Sequence, residues 1–237
     1  MGKRLITQRR GSGNSRYRSP GHRFKSDAKY PRYEGGGQVT GIVHDAGKSA
    51  PLTEVLLENF EKVFMIAPEG IQVGQWIEIG SKAVIKTGCV APLKRIPEGT
   101  EICNIELRTG DGGKLVRASG AAASIISHDK EKGLVYVMMP SKRNVTISEN
   151  ALATIGRVAA GGRKEKPMAK AGQMWHAKKA KGKLYPIVGG LHMNAIDHPH
   201  GGGRHPHVGR PSCVKRDTPP GRKVGHIAPS RSGLKKK

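Results

Sequence analysis

The feature that most limits how this chain can fold is the poverty of its two ends in core-forming residues. Across residues 161–237, Leu, Ile, Val and Phe together number 10 of 77, while Gly and Pro number 21. A segment of that make-up cannot bury enough apolar surface to offset its ordering entropy. It orders only against something that neutralises it or holds it. Charge follows the same partition: residues 1–34 are net +8, 35–110 net −2, 111–160 net +3 and 161–237 net +15. The total of +24 therefore sits almost wholly outside the middle of the chain. Such a distribution predicts a polyanionic partner for the ends and a separate, near-neutral folded body.

The body reads as strands. Val39–Val43, Glu54–Leu57, Val63–Ile66, Trp76–Ile79 and Ala83–Ile85 are short, β-rich and bounded by Gly, Pro or polar turns. After Pro97-Glu98-Gly99 come Ile102–Leu107, Lys114–Arg117, Ala123–Ile126, Leu134–Met139 and Asn144–Ile147. Strands at this spacing predict an all-β barrel or sandwich architecture. The turn-formers Pro92, Pro97 and Gly99 mark Gly88–Gly99 as a hinge between two small barrels; the first set suits an OB-type barrel and the second an SH3-like one, shapes that periodicity does not tell apart. One short helix is expected within 167–181, with Pro167 near its start and Gly182 after its end. The predicted organisation is a basic N-terminal arm over 1–34, an OB-fold barrel over 35–87, an SH3-like barrel over 88–160 and a basic Gly/Pro/His-rich extension over 161–237.

Several functions are disfavoured by pattern. No apolar run approaches the roughly 18 residues of a membrane span. The basic start, Met1 to Arg10, is not followed by the apolar core of a secretory signal, which makes the Asn144-Val145-Thr146 sequon incidental. Cys89, Cys103 and Cys213 are odd in number and widely spaced, as free thiols of a reducing compartment are. Gly47-Lys48-Ser49 resembles the end of a phosphate-binding loop, but Ile42 stands where the first glycine is required.

The chemistry-bearing residues lie in the ends. Six of ten histidines fall between His192 and His226, among them Asp197-His198-Pro199-His200 and His205-Pro206-His207. With Cys213 they present donors a metal could use, and a metal-dependent enzyme stays open on spacing alone. The competing reading makes each His-Pro unit a rigid turn in a loop that meets RNA. Gly201-Gly202-Gly203-Arg204 favours the second, since bare backbone can press closely on a partner and Arg204, Arg210, Lys215, Arg216, Arg222 and Lys223 surround it. In the N-terminal arm, Arg9, Arg10, Arg16, Arg18, Arg23, Lys25 and Arg32 alternate with Tyr17, Phe24, Tyr30 and Tyr33. Guanidinium groups suit phosphates, and the rings are expected to offer stacking platforms for unpaired bases.

At Ile196-Asp197-His198-Pro199-His200-Gly201-Gly202-Gly203 the chain resembles the universal large-subunit ribosomal protein two family, in its archaeal or eukaryote-like form. The same resemblance runs through Gly110-Asp111-Gly112-Gly113-Lys114, Arg117-Ala118-Ser119-Gly120, Arg157 after Ala153–Gly156, Lys166–Gly172 with Lys170, and Pro219–Gly225. It implies an OB-fold followed by an SH3-like barrel, with extended arms in large-subunit rRNA. It further implies a place near the peptidyl-transferase region, an intersubunit contact with the small subunit, and neighbouring ribosomal proteins as partners in the cytoplasmic ribosome. Catalysis in that setting belongs to the RNA; no enzyme activity and no membrane partner are implied, and Mg2+ enters only as rRNA counter-ion. The glycine-rich loop carries over onto Asp197, His198, Pro199, His200 and Gly201–Gly203, with His198 as the leading histidine and His200 second. Arg204 stands where some relatives carry an acidic residue, so a role that needs a carboxylate at that position does not carry over.

Overall fold

The computed structural model describes residues 2–233. The chain folds as two compact units. One is continuous, Gly21–Met168; the other brings the residues up to Pro20 together with the chain from Ala169 onward.

The continuous unit is built on one sheet of ten strands: β1 (Gly35–Val43), β2 (Leu52–Leu57), β3 (Lys62–Ile66), β4 (Trp76–Ile79), β5 (Val90–Pro92), β6 (Glu101–Cys103), β7 (Ala123–Asp129), β8 (Leu134–Met138), β9 (Asn144–Ser148) and β10 (Leu152–Ile155). Their order is β3-β2-β1-β4-β5-β10-β6-β7-β8-β9. Two antiparallel groups, β1–β4 and β6–β10, are the two barrel-type modules, and the molecule is all-β in its folded body. Alternation decides which faces turn inward. In β2, Leu52, Val55 and Leu57 are buried, and their cross-strand partners in β1 and β3 include Val39, Ile66 and Val63. Irregular register in β1 between Val39 and Gly41, and in β7 between Ile125 and Ser127, bends both strands.

The expected hinge is instead a seam. Gly88, Cys89, Val90, Ala91, Pro92 and Leu93 are all buried, and β5 pairs with both modules: Ile79 opposite Val90 in parallel, and Leu152–Thr154 opposite Pro92–Val90. Pro92 looks like a breaker, but it ends its strand, and the next donor, Leu93 N–H, bonds Ala151 O at 2.9 Å. A single apolar cluster then runs from Ala28 to Val158 through both modules.

Two expected strands are not formed. Val84 and Ile85 lie exposed in irregular chain. Lys114–Arg117 contributes one isolated bridge, Leu115 to Ile105, because the chain is wrapped around two carboxylates. Buried Glu106 accepts N–H bonds from Gly110 (3.1 Å), Gly112 (2.9 Å) and Leu152 (2.9 Å), and Asp111 accepts from Leu107, Arg108 and Gly113. The Gly110-Asp111-Gly112-Gly113 stretch thus forms a tight internal loop.

The discontinuous unit has little regular structure. It holds α1 (Ile6–Gly11), α2 (Ala171–Lys179), and a two-residue parallel pair of β11 (Cys213–Val214) with β12 (His226–Ile227). α2 is the helix expected within 167–181; α1 was not expected from its Arg-rich sequence. Gln8 caps α1 by accepting Leu5 N–H at 2.9 Å. The two ends of the chain are tied by Lys3 N–H, which donates to Ile196 O at 2.8 Å.

Candidate nucleic-acid interface

The histidine loop closes on itself. Asn194 O accepts Asp197 N–H at 2.9 Å, Gly201 N–H donates to His198 O at 2.9 Å, and Gly202 N–H donates to Met193 O at 3.0 Å. The three glycines have distinct jobs. A Cβ on Gly201 would meet the carbonyl oxygens of Met193 and Asn194 at 2.5 Å, whereas Gly202 and Gly203 both need φ of +85°. The bare backbone therefore presses first on its own chain. Asp197 faces Lys3, with Nζ to Oδ1 at 3.6 Å.

His198 is half-buried, and its Nδ1 accepts the His200 N–H at 3.0 Å. That bond requires Nδ1 to carry a lone pair, so the neutral ring bears its proton on Nε2. The two imidazoles meet edge-on, 5.0 Å between centroids at 62°. Burial, and then the neighbouring His200, hold the His198 pKa below the ordinary histidine value. Gly190 lies against the ring, where any side chain would overlap it.

Two cavities flank this loop. One, of about 670 Å3, is lined by Leu5, Ile6, Met193 and Val224, with Arg9, His198 and Lys223 among its polar members. The other, of about 390 Å3, gathers His200, Arg210 and Arg222 beside Cys213 and the rings of Pro199 and Pro211. The β11–β12 pair, with the chain turning back between its strands at Pro219–Lys223, accompanies this convergence; a two-residue parallel bridge leaves no trace in the sequence. Cationic groups above an apolar floor suit a phosphate with its sugar or base.

The other sequence-selected residues divide into two kinds. Arg10, Arg16, Arg18, Arg23, Lys25, Lys170, Arg204 and Arg210 are exposed and make no ion pair among the described residues. Arg117 and Arg157 are engaged within the protein. The Arg117 guanidinium donates to Gly113 O at 2.9 Å and Ala28 O at 2.7 Å; Arg157 pairs with Glu101 at 2.8 Å. Three rings expected as stacking platforms are also engaged within the protein. Tyr30 is 7% exposed and its hydroxyl bonds Asn104 O at 2.6 Å, Phe24 lies against Gly47, and the Tyr33 hydroxyl donates to Glu58 at 3.0 Å. The arm from Phe24 onward is therefore part of the barrel unit, held by its aromatics. No group of three His, Cys, Asp or Glu residues that could hold a metal occurs among the described residues.

Residues 86–222 match the family model described as Ribosomal Proteins L2, C-terminal domain. Along its whole length the chain is 53% identical to the large ribosomal subunit protein uL2 of Methanobrevibacter smithii, with all of both chains covered. The proteins of the same name from Methanothermobacter thermautotrophicus and Methanocaldococcus jannaschii are each 51% identical, again over 100% of both chains. The chain belongs to the ribosomal protein L2 family. The family match starts just before the seam strand β5 and ends at Arg222, so it takes in the second strand module, the histidine loop and the Arg210–Arg222 cavity. The match to the Methanobrevibacter smithii protein also covers the N-terminal residues that tie the loop down.

Proposed function

We propose that this L2-family chain is a non-catalytic structural constituent of the large ribosomal subunit that binds large-subunit rRNA, supports subunit association and braces the peptidyl-transferase region. The observation that carries this reading is the regrouping of charge by the fold. By sequence, residues 1–20 and 169–237, which form the discontinuous unit, hold 21 basic and 2 acidic residues, net +19. The barrel unit, with 148 residues, is net +5. Arg9, Arg10, Arg16, Arg18, Lys170, Arg204, Arg210, Arg222 and Lys223 are assigned to phosphate contacts in that unit, with Arg23 and Lys25 at the edge of the other. The Gly201–Gly203 loop with His198 and His200 is the part assigned to the closest RNA contact. Arg117 and Arg157 act on RNA only through the loops they hold. Side chains position the RNA, which does the chemistry, and Mg2+ accompanies the RNA as counter-ion. Neighbouring ribosomal proteins and the small subunit complete the set of partners, in the cytoplasm.

The test is hydroxyl-radical footprinting of large-subunit rRNA with the purified chain. Protection confined to one compact set of helices supports the reading; diffuse protection, as a general RNA chaperone gives, overturns it.

A further inference from the structure

The outward face of the first strand module is opposite in character to the cationic ends. Gly36 in β1 has Glu78 of β4 as its cross-strand partner, and on its other side Glu58 N–H donates to Gly36 O at 3.1 Å. The glycine thus stands between two acidic residues in one row. The Trp76 indole fills the place a side chain would occupy, since a Cβ on Gly36 would lie 2.7 Å from ring atoms Cε2 and Nε1. The indole is nonetheless 51% exposed. Each carboxylate around it is held in place: Tyr33 Oη donates to Glu58 Oε2 at 3.0 Å, Val84 N–H to Glu78 Oε2 at 2.8 Å, and Ser81 Oγ to Glu34 Oε1 at 3.0 Å. Trp76 and the three glutamates line a cavity of about 490 Å3, whose single cationic member is Lys82. Among the described residues no ion pair reaches Glu34, Glu58 or Glu78.

Three carboxylates repel a phosphate backbone, and an exposed indole face attracts a cation. We propose that this pocket receives an arginine or lysine side chain from a basic polypeptide segment of a neighbouring protein, so that the first strand module docks protein while the discontinuous unit docks RNA. Trp76 is the platform, and Glu58 and Glu78 flank the guanidinium or ammonium group. The inference rests on the proposed place of the chain in an RNA–protein particle for the source of the partner, but not for the chemistry of the pocket.

The test uses the full chain carrying Trp175→Phe, so that Trp76 is the sole indole, titrated with an arginine-glycine repeat peptide. A saturable change in Trp76 emission is expected despite the protein's net charge of +24, which repels a polycation. Replacing Glu58→Gln and Glu78→Gln together should weaken it roughly tenfold, with the circular dichroism spectrum and the affinity for rRNA unchanged. In assembled large subunits, a photo-cross-linking residue at position 82 should capture a Lys/Arg-rich protein segment. Peptide binding that ignores the double substitution, absence of saturable binding, or a cross-link to rRNA would each overturn the proposal. Loss of rRNA affinity by the unaltered chain would instead count against the proposed function.

Discussion

At the scale of single residues, the protein spends polar groups on holding loops as much as on reaching a partner. Tyr30 shows this most clearly, because its buried hydroxyl bridges Asn104 O and Thr154 Oγ1 at 2.6 and 2.7 Å. Tyr30→Phe keeps the ring but leaves two buried oxygens short of a partner, and should cost about 1–3 kcal/mol, read from chemical denaturation. His198 gives a pH dependence of definite sign. Its folded-state pKa lies below the ordinary value of 6.5, so the unfolded chain binds the proton more tightly. Above about pH 6.5 the loop pays nothing; as pH falls from there through the folded pKa, loop stability declines and then levels. Protonation also puts a second N–H against the His200 N–H, breaking the bond that sets the tautomer. A 13C-edited NMR titration of the His198 ring should give a midpoint lower than that of an exposed histidine; a midpoint at or above it would contradict the burial argument. None of this was visible in the sequence. Tyr30 and Tyr33 look like stacking platforms in the sequence, and only the position of the chain beside Asn104 and Glu58 shows that both hydroxyls are engaged within the protein.

At the scale of elements, β-rich runs such as Glu54–Leu57, Leu134–Met139 and Asn144–Ile147 were legible, to within two residues of the strands formed, because alternation and bounding turns agree. β5 and β10 were not. Their burial is total or nearly so, but Cys89-Val90-Ala91-Pro92 and Leu152-Ala153-Thr154-Ile155 are short, and one carries a proline. Val84-Ile85 erred the other way, since two β-branched residues in a row say nothing about whether a neighbour strand is present. The seam has a mechanical consequence. Leu93 has no exposed surface and lies in the cluster shared by both modules. Leu93→Ala should cost about 2–5 kcal/mol and should lower a single unfolding transition of the barrel unit. Two separated transitions in calorimetry would show that the modules melt independently.

At the scale of the whole molecule, the segregation of charge into one unit makes a quantitative statement about salt. Each phosphate neutralised contributes roughly 0.7 (single strand) to 0.9 (duplex) to the slope of log affinity against log salt. Arg210→Gln and Arg222→Gln should each reduce the measured slope by about that amount, whereas Arg117→Gln should reduce stability and leave the slope unchanged. A filter-binding series across ionic strengths with a large-subunit rRNA fragment separates these outcomes. The class of the body and the basic character of the ends were legible at this scale, because they depend on sums over many residues. That the two ends belong to one unit was not, since nothing in Lys3 or Ile196 names the other. That tie also imposes an order in time. Residues leave the site of synthesis from the N-terminus onward, so Lys3 and Leu5 emerge long before Ile196 exists, and the barrel unit is complete in between. The first residues made are among the last to find their native partners, and a chain halted before Ile196 can finish its barrels while its N-terminal segment stays without the loop it is built to hold.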